Sequence, residues 1–297
     1  MLRKLLAVSA TLVLSISIAS AADIAQPRTT LSATEIISKN VAARGGLQAW
    51  RAVQSISMEG KLGAGGNQRT PLPLPIPGNK SGKLTVPARP AEEVQLPFEM
   101  DLQRPRKARF QIQFDGKTAV QVYDGTNGWK LRPYLNRLEV EPFTSDELKT
   151  SSMQPELDGP LVDYVAKGTR IELEGMEKVE NRDAYKLRLT TKDGQAFHVW
   201  IDSLTFLEAK IEGQPRRLDG IEHPVEVYYR DYRPVNGLQI PFVLETKVLP
   251  VTHAGLSGAS SAIPTEKIVL ERIEVNPRLD TSLFAKPAVQ TASLHTR

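Results

Sequence analysis

The chain contains no cysteine. That absence excludes disulfides, thiolate nucleophiles, cysteine-ligated zinc and a lipid-modified cysteine at an export cleavage site. Histidine is scarce: His198, His223, His253 and His295 are scattered, none at metal-ligand spacing from another histidine or from a carboxylate pair on a helix. The glycine-rich residues 63–66 are not followed by Gly-Lys-Ser/Thr, so they cannot cradle phosphate as a P-loop does, and Gly255-Leu256-Ser257-Gly258 lacks the spacing of a nucleophile elbow. No catalytic residue, metal ligand or cofactor site is therefore assigned. Excess charge is missing too. The formal net charge is +4 and falls to +2 without Arg3 and Lys4, which gives nucleic acid no footprint. Past the first twenty residues no run reaches the roughly 18 apolar residues of a membrane helix, so the exported chain is expected to be soluble.

What is present begins with an export signal. Arg3 and Lys4 precede an apolar run over residues 5–18, and Ala19-Ser20-Ala21 closes it. This is the order of a secretory signal peptide, with cleavage expected after Ala21 or Ala22. Residues 22–297 are long enough for one large core and are expected to form one domain, interrupted by Gly, Pro and Ser-rich loops near 63–90 and 252–265. Between Pro71 and Pro77 proline alternates with other residues, which predicts an extended path with no fold of its own.

Most of the remainder alternates with a period of two. Residues 225–248, VEVYYRDYRPVNGLQIPFVLETKV, read as two long strands joined at Asn236-Gly237, the two positive-φ positions that a tight hairpin needs. Pro241 cannot donate to a ladder, so the sheet is expected to be open or bulged there. Asp231 is expected to be a buried carboxylate paired with Arg233 or Arg230, a structural and not a catalytic role. The same alternation runs through Ile56 to Leu62, Val94 to Leu102, Ala108 to Phe114, Val120 and Val122, Trp129 and Leu131, Ile171 and Leu173, Tyr185 to Leu189, Phe197 to Ile201, Leu207 to Ile211, and Ile268 to Val275. Asp115-Gly116, Asp193-Gly194 and similar pairs between the runs predict an antiparallel meander.

Two places break that rhythm. Ser32 with Glu35 has capping-box spacing and opens a helix whose apolar stripe is Ile36, Ile37, Val41 and Ala42; Gly45-Gly46 ends it before a short turn of helix containing Trp50. Thr144 with Glu147 has the same spacing, and Leu157, Leu161, Tyr164 and Val165 fall at helical offsets up to Gly168. A central helix is expected there.

Five stretches carry a family resemblance: GGLQAWRAVQSISMEGKL from Gly45, YDGTNGWKLRP from Tyr123, DGPLVDYVAKG from Asp158, DYRPVNGLQIPF from Asp231 and LDTSLFAKP from Leu279. Together they resemble the LolA-like outer-membrane lipoprotein-sorting proteins of the periplasm, the group that includes the LolB and LppX types. The resemblance implies a mainly β fold, a strongly curved antiparallel sheet forming an unclosed half-barrel, with short α-helices as a lid on the concave apolar side. It also implies a periplasmic, non-catalytic, monomeric carrier that holds acyl chains of lipoproteins or lipids between sheet and lid. Such a carrier works between membrane-associated donor and acceptor proteins. The family's cargo-gating arginine is matched to no residue of this sequence.

On that reading the hydrophobic groove is expected to use Phe98, Met100, Phe110, Ile112, Leu187, Val199, Tyr229 and Leu244 from the apolar sides of their strands. Leu157, Leu161, Tyr164 and Val165 would face them from the central helix. A lipid or lipoprotein sensor using the same groove is the alternative, and an enzyme of unrecognised type is a third class.

Overall fold

The structure, a computed structural model, describes residues 31–65, 72–75, 83–86, 93–133, 137–153, 156–218, 221–251 and 265–288. The amino-terminal leader, nearly all of 252–265 and much of 63–90 lie outside the described residues. Among the described residues three α-helices, α1 (Ala33–Ala43), α2 (Leu47–Ala52) and α3 (Ser145–Met153), accompany fifteen strands. The strands are β1 (Ser55–Gly65), β2 (Leu72–Pro75), β3 (Lys83–Val86), β4 (Glu93–Gln103), β5 (Lys107–Phe114), β6 (Lys117–Tyr123), β7 (Gly128–Arg132), β8 (Arg137–Pro142), β9 (Arg170–Val179), β10 (Arg182–Thr190), β11 (Ala196–Asp202), β12 (Glu208–Leu218), β13 (Ile221–Val235), β14 (Leu238–Val248) and β15 (Glu266–Val275). All belong to the compact unit Ser32–Arg297.

Thirteen strands form one antiparallel sheet in the order β8-β7-β6-β5-β4-β1-β15-β14-β13-β12-β11-β10-β9. The ladder does not close on itself, so β8 and β9 are its two edges. Two consecutive meanders, β4 to β8 and β9 to β14, are joined through β1 and β15, the strands most distant in sequence, which pair from Ile56↔Val275 to Leu62↔Ile268. The central hairpin turns at Asn236 and Gly237, with φ of 49° and 82°, and Val235 faces Leu238 across it. Pro241 sits where expected. β14 pairs with β15 only over residues 243–246, so the proline lies where β14 has no ladder partner on its β15 side.

Both capping boxes form. The Ser32 hydroxyl accepts from Glu35 N while Glu35 accepts from Ser32 N, and Thr144 and Glu147 do the same at α3. Glu147 also receives Lys130 Nζ at 2.5 Å, tying α3 to the buried side of β7.

Several expectations need correction. Residues 157–168 are a chain of hydrogen-bonded turns and not a helix. Gly159 (φ 79°) and Asp163 (φ 51°) take left-handed conformations that break the helical repeat, and Pro160 offers no N–H between them. Val165 consequently points to solvent, 72% exposed, while Val162, one residue off the expected stripe, is fully buried. In α1 the stripe includes Asn40, whose amide donates to the Phe206 carbonyl, and Ala42 is exposed. Asp231 is exposed: it takes a left-handed conformation within β13, φ 53°, and pairs with Arg233, at 2.5 Å, at the surface. The proline-rich insertion carries local structure, since β2 and β3 form their own antiparallel hairpin, Leu72↔Val86 to Pro75↔Lys83.

The core is divided between the two faces. On the inner face Trp50 and Val53, which follow α1, pack with Val162 against Phe98, Leu238, Ile240, Phe242 and Leu270. On the outer face Trp200 and Tyr228 form a smaller cluster, overlaid by Lys210 at 3.8 Å and Lys247 at 4.0 Å from their ring centres. Outward-facing Val120 and Val122 are covered by Phe284 at the end of the chain, with Leu279 and Leu283 beside it.

Candidate functional site

The inner face is the candidate site, and its cover is the first part to explain. Gly45, with φ 113°, lies so close to the central hairpin that a Cβ there would be 2.4 Å from the Gly237 carbonyl oxygen, and only glycine permits that approach. Gln239 N donates to the Arg44 carbonyl at 3.1 Å, and Trp50 Nε1 donates to the same oxygen. The α1–α2 corner is thereby pinned to the β13–β14 turn.

The second part of the cover, residues 156–168, is held by charge. Arg44, nearly buried, donates to the Asp158 carbonyl at 3.0 Å, pairs with Glu208 at 3.2 Å and lies 4.3 Å from the centre of the Trp50 ring. Asp158, almost enclosed, accepts from Arg104 at 2.7 Å and from Lys167 at 2.5 Å. Arg104 also reaches Glu156 and the Val53 carbonyl, and Arg51 makes a bidentate pair with Asp163. That hydrogen-bonded guanidinium holds the Asp163 carboxyl below the usual carboxylate range. Arg51, Arg104, Glu156, Asp158, Asp163 and Lys167 line a cleft of about 440 Å³ open to solvent. Sequence reasoning missed all of these partners. The only available signal was the density of Arg, Lys and Asp in DGPLVDYVAKG and its flanks.

Beneath this cover the apolar rows of the inner face are continuous through the register. One row runs Leu173, Leu187, Val199, Ile211 and Val227 across β9 to β13. Another runs Tyr229, Leu244, Ile268, Leu62 and Leu96 across β13, β14, β15, β1 and β4. The expected groove residues fall into two groups. Leu161, Leu187 and Val199 have no exposed surface. Met100, Phe110, Ile112, Leu157 and Leu244 are half-buried around the main cluster that contains Phe98, and Tyr164 is half-buried in the cover. The row is least covered at its far end, where Val94 and Phe114, inward residues of β4 and β5, are 46% and 45% exposed. The segments 66–92 and 252–264 both join the sheet at this end, since β1 and β14 run into it and β4 and β15 run out of it.

The polar groups at the other end of that row are few. Tyr229 faces inward from β13 and is half-buried. Tyr232 donates to Glu208. Burial pushes both phenols well above their ordinary range, and the Glu208 carboxylate adds to this. The described histidines do not stand beside a hydroxyl nucleophile. His198 is bridged by Glu212 at 2.8 Å and Glu174 at 3.1 Å, and His223 contacts the Leu249 carbonyl. Among the described residues no helix is long and apolar enough to cross a membrane.

Among the structural neighbours of this chain are LolA-superfamily, DUF1329 and lipoprotein-sorting proteins. A DUF1329 family protein from Desulfovibrio piger matches 88% of this chain and all of its own at 13% identity, with a TM-score of 0.51. A LolA superfamily protein from Nitrosomonas europaea matches 86% of this chain and 99% of its own at 12% identity and a TM-score of 0.49. A domain from Vibrio parahaemolyticus assigned to outer-membrane lipoprotein sorting matches 85% and 95% at 12% identity and 0.47. No protein-family model and no curated protein matches the sequence. At such identities the likeness speaks for the fold, so function has to be argued from the site.

Proposed function

We propose that this protein is a non-catalytic carrier, exported to the periplasm after loss of its first 21 or 22 residues, that shields the acyl chains of a lipid or lipoprotein on the inner face of its sheet. The observation that carries this is the row Leu244, Ile268, Leu62 and Leu96, with Ile112, Phe114 and Val94 beside it: a continuous apolar surface, wholly inward-facing, that the cover leaves partly open. Inward apolar residues at the edge of a filled core normally end in polar ones; here they grow more exposed towards the rim. Each methylene of an acyl chain laid on this surface contributes about 0.8 kcal/mol, so affinity needs no polar chemistry. The Leu161, Leu187 and Val199 group then serves as the packed wall that holds the open part in shape.

Mass spectrometry of the protein purified under native conditions tests the reading. Retained lipid or acylated peptide, and an intact mass starting at residue 22 or 23, are expected. A protein that retains no lipid and takes up no fluorescent acyl probe would overturn it.

A further inference from the structure

The apolar inner face contains one hydroxyl whose position calls for a ligand. Tyr229 lies in register with Leu244, at the inner end of the row that leads to Ile268, Leu62 and Leu96. It is half-buried, so it lines the inner face without being sealed in the core. Its hydroxyl makes no hydrogen bond among the described residues. Tyr232, three positions away, behaves differently: its hydroxyl donates to the Glu208 carbonyl at 3.0 Å and approaches the Glu208 carboxylate at 3.2 Å. With no protein acceptor among the described residues, the Tyr229 hydroxyl is left for solvent or for a bound acceptor, whereas packing alone would be served as well by phenylalanine.

Nearby charges restrict what the partner is. Glu208 and Arg44, each about nine-tenths buried, lie close enough for both to act on the Tyr229 phenol, and Arg44 is already occupied by Glu208, the Asp158 carbonyl and the Trp50 ring. A second carboxylate beside Glu208 would be repelled. A neutral acceptor would not.

Building on the carrier reading, we infer that Tyr229 is a specificity-determining residue that donates a hydrogen bond to the neutral carbonyl of an acyl ester or amide, so that the groove selects acylated molecules over bare hydrocarbon and over free fatty acids. The chain running from that carbonyl would lie along Leu244, Ile268 and Leu62 towards the open rim.

The experiment compares the full-length protein with Tyr229→Phe against three probes: a pyrene-labelled diacylglycerol, the corresponding pyrene-labelled free fatty acid, and diphenylhexatriene, a hydrocarbon with no acceptor. The wild type is expected to bind the ester more tightly than the acid, and Tyr229→Phe to weaken the ester by about 5-fold to 20-fold, the effect of one buried hydrogen bond, while diphenylhexatriene changes by less than about twofold. Equal losses for ester and hydrocarbon, or no loss for either, would overturn the inference while leaving the carrier reading standing. Binding of none of the probes by the wild type would overturn both. Tyr232→Phe serves as the control: its hydroxyl is already paired, so the expected change is a lower unfolding midpoint with the ester-to-hydrocarbon preference retained.

Discussion

In β10 and β11 the inward residues Leu187, Leu189, Val199 and Ile201 are wholly enclosed, whereas in β1, β4, β5 and β15 the inward residues Leu62, Leu96, Ile112 and Ile268 keep part of their surface open. Both halves show the same alternation of apolar and polar residues, and both turn their apolar side to the same face. The difference is in the cover. Ile36 and Ile37 of α1 and Leu161 of the 156–168 segment are sealed in the core, whereas no described element covers Val94 and Phe114 at the rim. Period two thus specifies which side chains turn inward; it carries no information on what they meet there.

The largest expected contrast comes from placing one charge on each half. Leu187→Asp would bury a carboxylate with no partner and cost about 3–5 kcal/mol, enough to abolish a cooperative urea transition in a marginally stable protein. Ile112→Asp, on the half-open part, should cost only about 1 kcal/mol, because its carboxylate can stay hydrated, yet reduce acyl-probe affinity at least tenfold. Equal stability losses at the two positions would erase the distinction between wall and groove.

The cover gives the next effect. Asp158→Ala removes the acceptor shared by Arg104 and Lys167, and should destabilise by about 2–3 kcal/mol, less than a fully buried pair because both cations are about one-fifth exposed. Calorimetry measures the loss, and probe exchange should quicken as residues 156–168 loosen.

Acid sensitivity should be weaker and sit on the filled half. Burial works to raise the Asp202 carboxyl, but the backbone N–H groups of Thr205 and Leu204 and the Thr205 hydroxyl outweigh it and leave it below the ordinary carboxylate range. A depressed folded-state value means that the stabilisation is present above the unfolded value near 3.9 and is lost as pH falls through the folded one. Unfolding midpoints should therefore hold level from neutral pH to about 5 and decline below about 4, and Asp202→Asn should lower the plateau and flatten that decline. The smallest change is expected from excising residues 66–92 and joining Gly65 to Glu93 with a short turn. β1 and β4 already pair from Ser55↔Gln103 to Gly65↔Glu93, so the unfolding midpoint should shift by only a few degrees.

Much of this organisation was legible in residue order. Ser32 with Glu35, Thr144 with Glu147, and Asn236-Gly237 each act within a few residues, and local chemistry settles them. The stretches from Gly45, Asp158 and Asp231 proved to be docking points between cover and sheet: Gly45 against Gly237, Arg44 to Asp158, Arg51 to Asp163. Their partners were not legible, because Arg44 and Asp158 are 114 residues apart and no periodicity links them. The central helix failed for a local reason. Leu157, Leu161 and Tyr164 do have helical spacing, but Gly159 and Asp163 adopt left-handed backbone angles that the ion pairs of Asp158 and Asp163 help to hold. The hairpin of β2 and β3 was hidden by prolines, which suit the edge positions of a two-stranded ribbon.

Photo-crosslinking with an acyl ester that carries a diazirine near its chain terminus, followed by peptide mass spectrometry, tests most directly that acyl chains lie on the half-open part of the inner face. Labels are predicted on peptides of β1, β4, β5, β14 and β15, centred on Leu62, Leu96, Ile112 and Leu244. Labels concentrated on Leu187 and Val199 of β10 and β11, or labelling that excess unlabelled ester fails to suppress, would contradict it.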